Sequence, residues 1–466
     1  MTDTYDVIVL GAGSTGTNVA WYARDNGLTV AVVERELVGG ECSYWACMPS
    51  KALLGPTHAV AAARRLPGAA EAVSGDVDVS AVLSRRDAFI SHLDDSSQAS
   101  WVDSVGAELI RGTGRLAGER AVTVTSADGV VRSLTARRAV VLATGSRDAT
   151  PPVDGLADIR TWDNRDVTTA KDIPRRLLIL GGGVVGCEMA QAYRRLGAQY
   201  VTVVEQSDRL VGGFEPWAGE LLADVLAAEG ITVHTGRSVQ HAARNGLDGP
   251  VTIRLDDGIE LVGDELLVAA GRTFNSDDIG LESVGVEPRG PVQVDDKLRV
   301  TAVDGDWLYA AGDINGRALL THQGKYQARL VGDIIAGRQR SAWADHTAVP
   351  QVMFTDPELA AVGLTEQQAR DAGIDVRTVS YGIGSVAGGA LLGNDVQGKA
   401  QLVIDQQKRV VVGATFVGPN VAEMLHAATI AVAGKVPIDT LWHAVPAFPT
   451  VSEVWLRLLE ADRELI

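Results

Sequence analysis

The chain has 466 residues, 46% of them hydrophobic and 22% charged, which is room for about three domains with buried cores and excludes a lone small module. Its 42 Lys and Arg stand against 59 Asp and Glu, a net charge of −17, so the average surface repels a phosphate backbone or an anionic membrane, and neither nucleic acid nor membrane is expected as a partner. No apolar stretch approaches the roughly 20 residues that cross a bilayer and no basic signal segment is seen, so a cytoplasmic protein is expected. With only Cys42, Cys47 and Cys187 there is no structural disulfide framework.

Residues 6–16, Asp-Val-Ile-Val-Leu-Gly-Ala-Gly-Ser-Thr-Gly, predict a strand buried on both faces, then Gly11, Gly13 and Gly16 in GxGxxG spacing, then a helix. Gly11 permits a tight turn, Gly13 lets a pyrophosphate approach the helix N-terminus, and Gly16 lets helix and strand pack closely. A second strand predicted over 28–33 is followed by Glu34, an acceptor for a ribose diol. These features together predict a dinucleotide site.

The chain continues Gly39-Gly40-Glu41-Cys42-Ser43-Tyr44-Trp45-Ala46-Cys47-Met48-Pro49-Ser50-Lys51. In a regular helix, positions i and i+5 have Cα atoms about 8.6 Å apart, beyond the roughly 7 Å a disulfide tolerates. If the two thiols pair, the backbone between them is tighter than an α-helix, so they are placed at the irregular start of one. There, N-terminal amides lower a thiol's pKa. Zinc lacks a second Cys pair or Cys/His cluster, and two unpaired core thiols are the alternative. Tyr44 and Trp45 either stack on a planar acceptor or pack the loop. The Ala-rich stretch 57–65 predicts a packing helix.

The first pattern recurs downstream. A strand over 177–180 leads to Gly181, Gly183 and Gly186, a helix, and a strand over 201–204 closed by Glu205. Two dinucleotide folds in one chain imply a flavin that stays bound and a nicotinamide that comes and goes. A 2′-phosphate beside Glu205 meets repulsion, with no arginine among Gln206, Ser207 and Asp208, so NADH is favoured over NADPH. Arg209, one position on, is the residue that could still admit NADPH. Cys187 reads as a small core residue.

The cysteine segment resembles the redox-active motif of the class I pyridine nucleotide-disulfide oxidoreductases, a group that includes dihydrolipoamide dehydrogenase, glutathione reductase and mercuric reductase. Ala143-Thr144-Gly145, Gly271-Arg272-Thr273, Leu308-Tyr309-Ala310-Ala311-Gly312-Asp313 and Phe354-Thr355-Asp356-Pro357-Glu358 are similar to further motifs of that family, so the resemblance spans essentially the whole chain. It implies an α/β fold with two Rossmann-like domains, for FAD and NAD, and a C-terminal α+β interface domain that forms homodimers whose active sites use both subunits. The expected ranges are 1–153 and 274–345 for the FAD domain, 154–273 for the NAD domain and 346–466 for the interface domain.

By that resemblance Cys47 faces the flavin, Cys42 meets the substrate, and the two form the redox-active disulfide. Lys51 and Glu188 hold the positions of an ion pair beside the flavin. Gly11, Gly13, Gly16, Glu34, Gly40, Thr144, Gly145, Gly312, Asp313 and His322 would serve one tightly bound FAD per subunit. Gly181, Gly183, Gly186, Glu205 and Gly271 would serve the nicotinamide cofactor.

One motif departs from the family. Where its disulfide reductases carry His-Pro-Thr-x-Ser-Glu, this chain reads Phe448-Pro449-Thr450-Val451-Ser452-Glu453. The glutamate is kept, but a phenyl ring cannot exchange a proton with Cys42, and general acid–base catalysis is worth about 10²–10⁴-fold. Rapid dihydrolipoamide turnover is therefore not expected. His443 is a candidate substitute base. Mercuric reductase also has Phe-Pro here, although its C-terminal cysteine pair and N-terminal metal-binding domain have no counterpart in this sequence. The ketopropyl-coenzyme M carboxylase shares the phenylalanine but has a histidine at the position of Glu453.

The expected function is hydride transfer from NADH through FAD to the Cys42–Cys47 disulfide, and on to a small thiol-reactive or disulfide acceptor. The alternatives are a quinone or metal-ion reductase, and a dihydrolipoamide dehydrogenase-like partner component or redox sensor.

Overall fold

β1 (Asp3–Leu10), α1 (Ser14–Asp25) and β2 (Val30–Glu34) form the first βαβ unit. β1 and β2 are parallel, in register from Val7 opposite Val30 to Leu10 opposite Val33. The second strand starts two residues later than its apolar run suggests, because Gly27, with φ +79°, ends the helix and Leu28 and Thr29 complete the turn. α2 (Gly40–Tyr44) and α3 (Cys47–Arg64) follow. The pattern repeats as β3 (Arg176–Leu180), α4 (Val184–Arg195) and β4 (Tyr200–Val204), and α5 (Thr321–Ile335) comes later. The structure, a computed structural model, describes residues 3–464, so residues 1 and 2 of the expected range 1–153 and residues 465 and 466 of the expected range 346–466 lie outside the described residues.

The described chain divides into two units. The first takes the residues up to Pro49, Asp87–Ala149 and Arg272–His346. Its seven-stranded sheet runs 108–111, β2, β1, 131–142, 121–125 and 113–116, with 308–310 pairing beside 131–142. β1 sits centrally and parallel to both neighbours, which is why its residues are apolar on both faces. Val7 and Val9 pack with residues of α1 and α5 on one side. Ile8 and Leu10 pack with Val122, Val124 and Leu308 on the other. α1 and α5 approach closely because Gly332 has no side chain: a Cβ there would lie 2.6 Å from Cβ of Tyr22.

The second unit takes Ser50–Arg86, Thr150–Gly271 and the residues from Thr347 onward. It holds a four-stranded parallel sheet ordered 231–234, β4, β3 and 265–268, and a three-stranded antiparallel sheet. A five-stranded antiparallel sheet is ordered 350–353, 358–363, 410–418, 399–405 and 376–382, with helices Val421–Ala433 and Val454–Glu464 following it in the chain.

Residues 50–86, which the sequence suggests as flavin-domain material, group by their contacts with this second unit. Specific interactions explain it. Leu54 joins the core around Ile179, Met189 and Tyr193, and Leu53 and Val82 pack on Leu196. Pro56 lies inside α3 and has no N–H for the carbonyl of Ala52, which instead accepts from Arg85 Nη1 at 3.1 Å. Arg86 is fully buried and donates to the carbonyls of Thr168 (2.6 Å) and Ala170 (2.9 Å), capping the helix Asn164–Thr169.

Candidate active site

The two glycine-rich turns are built alike. Gly11 has φ +99°, and a Cβ there would lie 2.4 Å from the carbonyl oxygen of Ala143; Gly181 has φ +112° and the same 2.4 Å relation to Ala269. Gly16 and Gly186 are excluded from carrying a side chain by the carbonyls of Gly11 and Gly181, at 1.9 and 2.0 Å. The middle glycines differ: a Cβ on Gly13 or Gly183 would meet nothing within 4 Å, and each caps its helix without a side-chain hydrogen bond. Open space at a helix N-terminus with uncapped N–H groups fits a pyrophosphate in both places. Glu34 Oε2 accepts from Ala12 N and Oε1 from Glu36 N, at 2.7 and 2.8 Å, and Glu205 takes Gly182 N and Ser207 N, each at 2.7 Å. Each acid therefore ties its strand end to its glycine turn while keeping lone pairs for ribose hydroxyls. The residues present fit two dinucleotides.

Further predicted residues meet in the first unit. Thr144 Oγ1 donates to the carbonyl of Asn275 and Asn275 N to that of Gly145, at 2.9 and 3.0 Å. Asp313 accepts from Ser146 Oγ at 2.6 Å, and burial raises its carboxyl pKa. Gly312 must lack a side chain because Thr15 Oγ1 lies 2.6 Å from where its Cβ would be, and Gly40 similarly faces Gly13 Cα at 3.0 Å. Gly271, at φ +135°, ends the middle segment of the second unit, and His322 is exposed on the first turn of α5. On the nicotinamide side, Arg209 turns back to its own loop, with Asp208 at 3.3 Å and the carbonyl of Gly212 at 3.1 Å.

The cysteine loop is irregular, as the Cα spacing requires. Cys42 lies in α2, Trp45 breaks the helix at φ −134° and ψ −1°, and Cys47 opens α3. A hydrogen bond joins the thiols of Cys42 and Cys47. The expectation of a lowered thiol pKa fails for Cys42. Its hydrogen bond with Cys47, then burial and the neighbouring sulfur's charge, push it well above the ordinary thiol range, against smaller opposing effects of Thr321 and Lys325. Thr321, unremarked in the sequence, begins α5 and places Oγ1 3.5 Å from Cys47 Sγ. Its only sequence signal was its position beside His322. Tyr44 and Trp45 are 2% and 8% exposed and pack with Ile90 and Leu37, so they brace the loop and offer no open face to a planar acceptor. Asp95 accepts from Val38 N at 2.7 Å and pairs with Arg111 at 2.7 Å, fixing the same loop.

In the second unit, Lys51 Nζ lies 2.8 Å from Glu188 Oε2 and 4.9 Å from the ring centre of Phe354. Glu188 Oε1 accepts from Phe354 N at 2.8 Å. Lys51 stands one helical turn after Cys47 on α3. Cys187 is fully buried, and its thiol pKa is pushed up by burial.

Phe448 and Glu453 differ in exposure. Phe448 is 75% exposed, whereas Glu453 is 6% exposed, and its Oε1 accepts from Arg457 Nη2 at 2.8 Å. His443 is exposed on the turn after Ile438–Leu441. Among the described residues, no group of three or more His, Cys, Asp or Glu could hold a metal ion, and no helix is long and apolar enough to cross a membrane.

Comparison with known proteins agrees with this geometry. The pyridine nucleotide-disulphide oxidoreductase family matches residues 5–328, and its dimerisation domain matches residues 349–458. The chain is 33% identical to a mercuric reductase of Streptomyces lividans over 449 residues, covering 94% of this chain and 93% of that one. It is 30% identical over 472 residues to a dihydrolipoyl dehydrogenase of Chlamydia muridarum, covering 100% and 98%. Among solved structures it is similar to LpdA of Mycobacterium tuberculosis, with TM-score 0.85 and 25% identity over the full length of both chains. The HOCl-induced flavoprotein disulfide reductase RclA of Escherichia coli shares the fold, at TM-score 0.84, 23% identity and 98% and 99% coverage. With two dinucleotide turns, a dithiol loop and a dimerisation domain in one α/β chain, this protein belongs to the pyridine nucleotide-disulphide oxidoreductase family and is a flavin-dependent oxidoreductase.

Proposed function

We propose that this enzyme uses NADH to reduce the Cys42–Cys47 pair, and that the dithiol reduces a small disulfide or other thiol-reactive acceptor, in a homodimer. The observation that carries this reading is the hydrogen-bonded pair Cys42 and Cys47 in a loop braced on both sides. FAD, when bound, supplies the two-electron relay between nicotinamide and sulfur. Gly11, Gly13, Gly16, Glu34, Gly40, Thr144, Gly145, Gly312, Asp313 and His322 would hold it. Gly181, Gly183, Gly186, Glu205 and Gly271 would hold the nicotinamide cofactor, with Glu205 and the tethered Arg209 disfavouring a 2′-phosphate. Lys51 supplies a fixed positive charge and Glu188 orients it.

Cys42 attacks the acceptor and releases a thiolate, and Cys47 then resolves the mixed disulfide, so two electrons leave as one sulfur–sulfur bond re-forms. The segment 444–450, Ala-Val-Pro-Ala-Phe-Pro-Thr, carries no ionisable side chain to protonate that leaving group. This favours acceptors whose leaving groups are stable as anions. A thiolate-bound metal ion meets the same condition, and similarity to a mercuric reductase supports it as the second reading.

The test is anaerobic titration with NADH followed by steady-state assays against aromatic disulfides, lipoamide, quinones and Hg²⁺. The expected result is uptake of about two hydride equivalents per subunit and a higher kcat/KM for low-pKa disulfides than for lipoamide. Uptake of one equivalent, with no loss of accessible disulfide, overturns the dithiol route.

A further inference from the structure

Three successive turns of α4 face one short segment of the second unit, the bend between the strands Pro350–Met353 and Glu358–Gly363. Glu188 accepts from Phe354 N at 2.8 Å. Gln191, one turn on, accepts from Asp356 N at 2.7 Å and donates to the Asp356 carbonyl at 2.8 Å, as a neighbouring strand would. Its amide also donates to Glu229 Oε1 at 2.9 Å, and Arg195, another turn on, reaches the Asp356 carboxylate at 3.0 Å. Gln191 is 0% exposed, so a methionine filling the same space would leave the Asp356 N–H and carbonyl without those bonds.

The geometry matters for the charge at Lys51. Glu188 has two oxygens: Phe354 N holds one, and that leaves the other for Lys51 Nζ at 2.8 Å. The ring of Phe354 meanwhile lies beneath the same ammonium at 4.9 Å. Lys51 Nζ also donates to Ser50 Oγ at 3.2 Å, but its contacts with Glu188 and with the Phe354 ring both depend on where residues 354–356 lie, and Gln191 holds both backbone groups of Asp356 in that segment. We propose that Gln191 is a positioning residue that fixes the Lys51–Glu188 pair, and through it the ease of reducing the bound flavin. The proposal rests on the reading that this pair acts on the flavin.

The test uses the FAD-loaded protein and reads the two-electron midpoint potential of the flavin in four forms: wild type, Gln191→Met, Glu188→Gln and the double variant. Gln191→Met is expected to shift the flavin equilibrium about tenfold toward the oxidised form, which is about 30 mV for a two-electron couple. The same change in the Glu188→Gln background is expected to shift it less than threefold, because the residue through which Gln191 acts is already disabled. Equal shifts in both backgrounds, or no shift for Gln191→Met while Glu188→Gln shifts, overturn the proposal and leave the reading of the pair intact. No shift for Glu188→Gln overturns that reading itself. Should Gln191→Met fail to fold, Gln191→Asn keeps an amide too short to span both backbone groups of Asp356. It is held to the same comparison, with the same outcomes deciding.

Discussion

Arg457 Nη2 donates to Glu453 Oε1 at 2.8 Å across one helical turn, and Glu453 Oε2 is buried without a partner. The carboxylate that would orient a histidine in the family's disulfide reductases is thus half-occupied by its own helix, with one oxygen left over. Phe448→His is therefore expected to raise lipoamide turnover by about 10²-fold, within the range of general acid–base catalysis. Phe448→His with Glu453→Gln is expected to lose most of that gain. Steady-state kinetics of the two variants with intact flavin content decide it; no rise in the first makes pocket shape, not the missing base, the limit.

Gly183→Ala separates fold from cofactor. A methyl group there meets no protein atom within 4 Å, and φ is −79°, so thermal stability should stay at the wild-type value. The methyl does fill the space assigned to a pyrophosphate, so KM for NADH should rise at least about tenfold, the cost of roughly 1.4 kcal/mol of lost binding. Gly181→Ala, strained at φ +112° and 2.4 Å from a carbonyl, should lose stability as well.

Ser91, His92 and Leu93 have φ of +49°, +52° and +64°, three consecutive residues in a region that costs a side chain about 1–2 kcal/mol each. They follow Ile90, whose packing on Tyr44 and Trp45 braces the cysteine loop. His92 is exposed, so His92→Gly removes strain without removing a core contact. Stability should rise by about 0.5–1 kcal/mol after the extra chain entropy of glycine is subtracted. A later thermal transition would show it, and an earlier one would refute it.

His58 is held near pKa 4, against 6.5 unperturbed, first by burial and then by the charge of Arg195; Asp356 and Glu229 oppose the shift and Arg65 adds to it. The folded state thus favours the neutral ring. Between pH 6.5 and about 4 the unfolded chain binds more protons, so this residue's contribution to stability falls as pH falls through that window and is level outside it. The full span is about 3 kcal/mol. The difference in melting temperature between wild type and His58→Gln should therefore depend on pH from 6.5 to 4 and be flat from 7 to 9.

Much of the dinucleotide machinery was legible because its physics is local. A turn at positive φ demands Gly11, close packing demands Gly16, and the strand buried on both faces announces itself as an apolar run. The cysteine loop was half-legible: the Cα distance over five helical residues required the break that appears at Trp45. The direction of the Cys42 shift was not, because it depends on a hydrogen bond to Cys47 and on burial, and neither follows from spacing along the chain.

The amino-acid order alone therefore determined which chemistry the chain can host, through two glycine turns, two thiols and a phenylalanine where a base would be. Only the tertiary structure decided what surrounds those groups: that Tyr44 and Trp45 are interior, that Pro56 leaves a carbonyl for Arg85, and that Gln191 grips the backbone at Asp356. The reason is one of range. Backbone strain and strand periodicity act within a few residues, whereas burial and hydrogen-bond satisfaction are settled by partners such as Gln191 and Asp356, 165 positions apart.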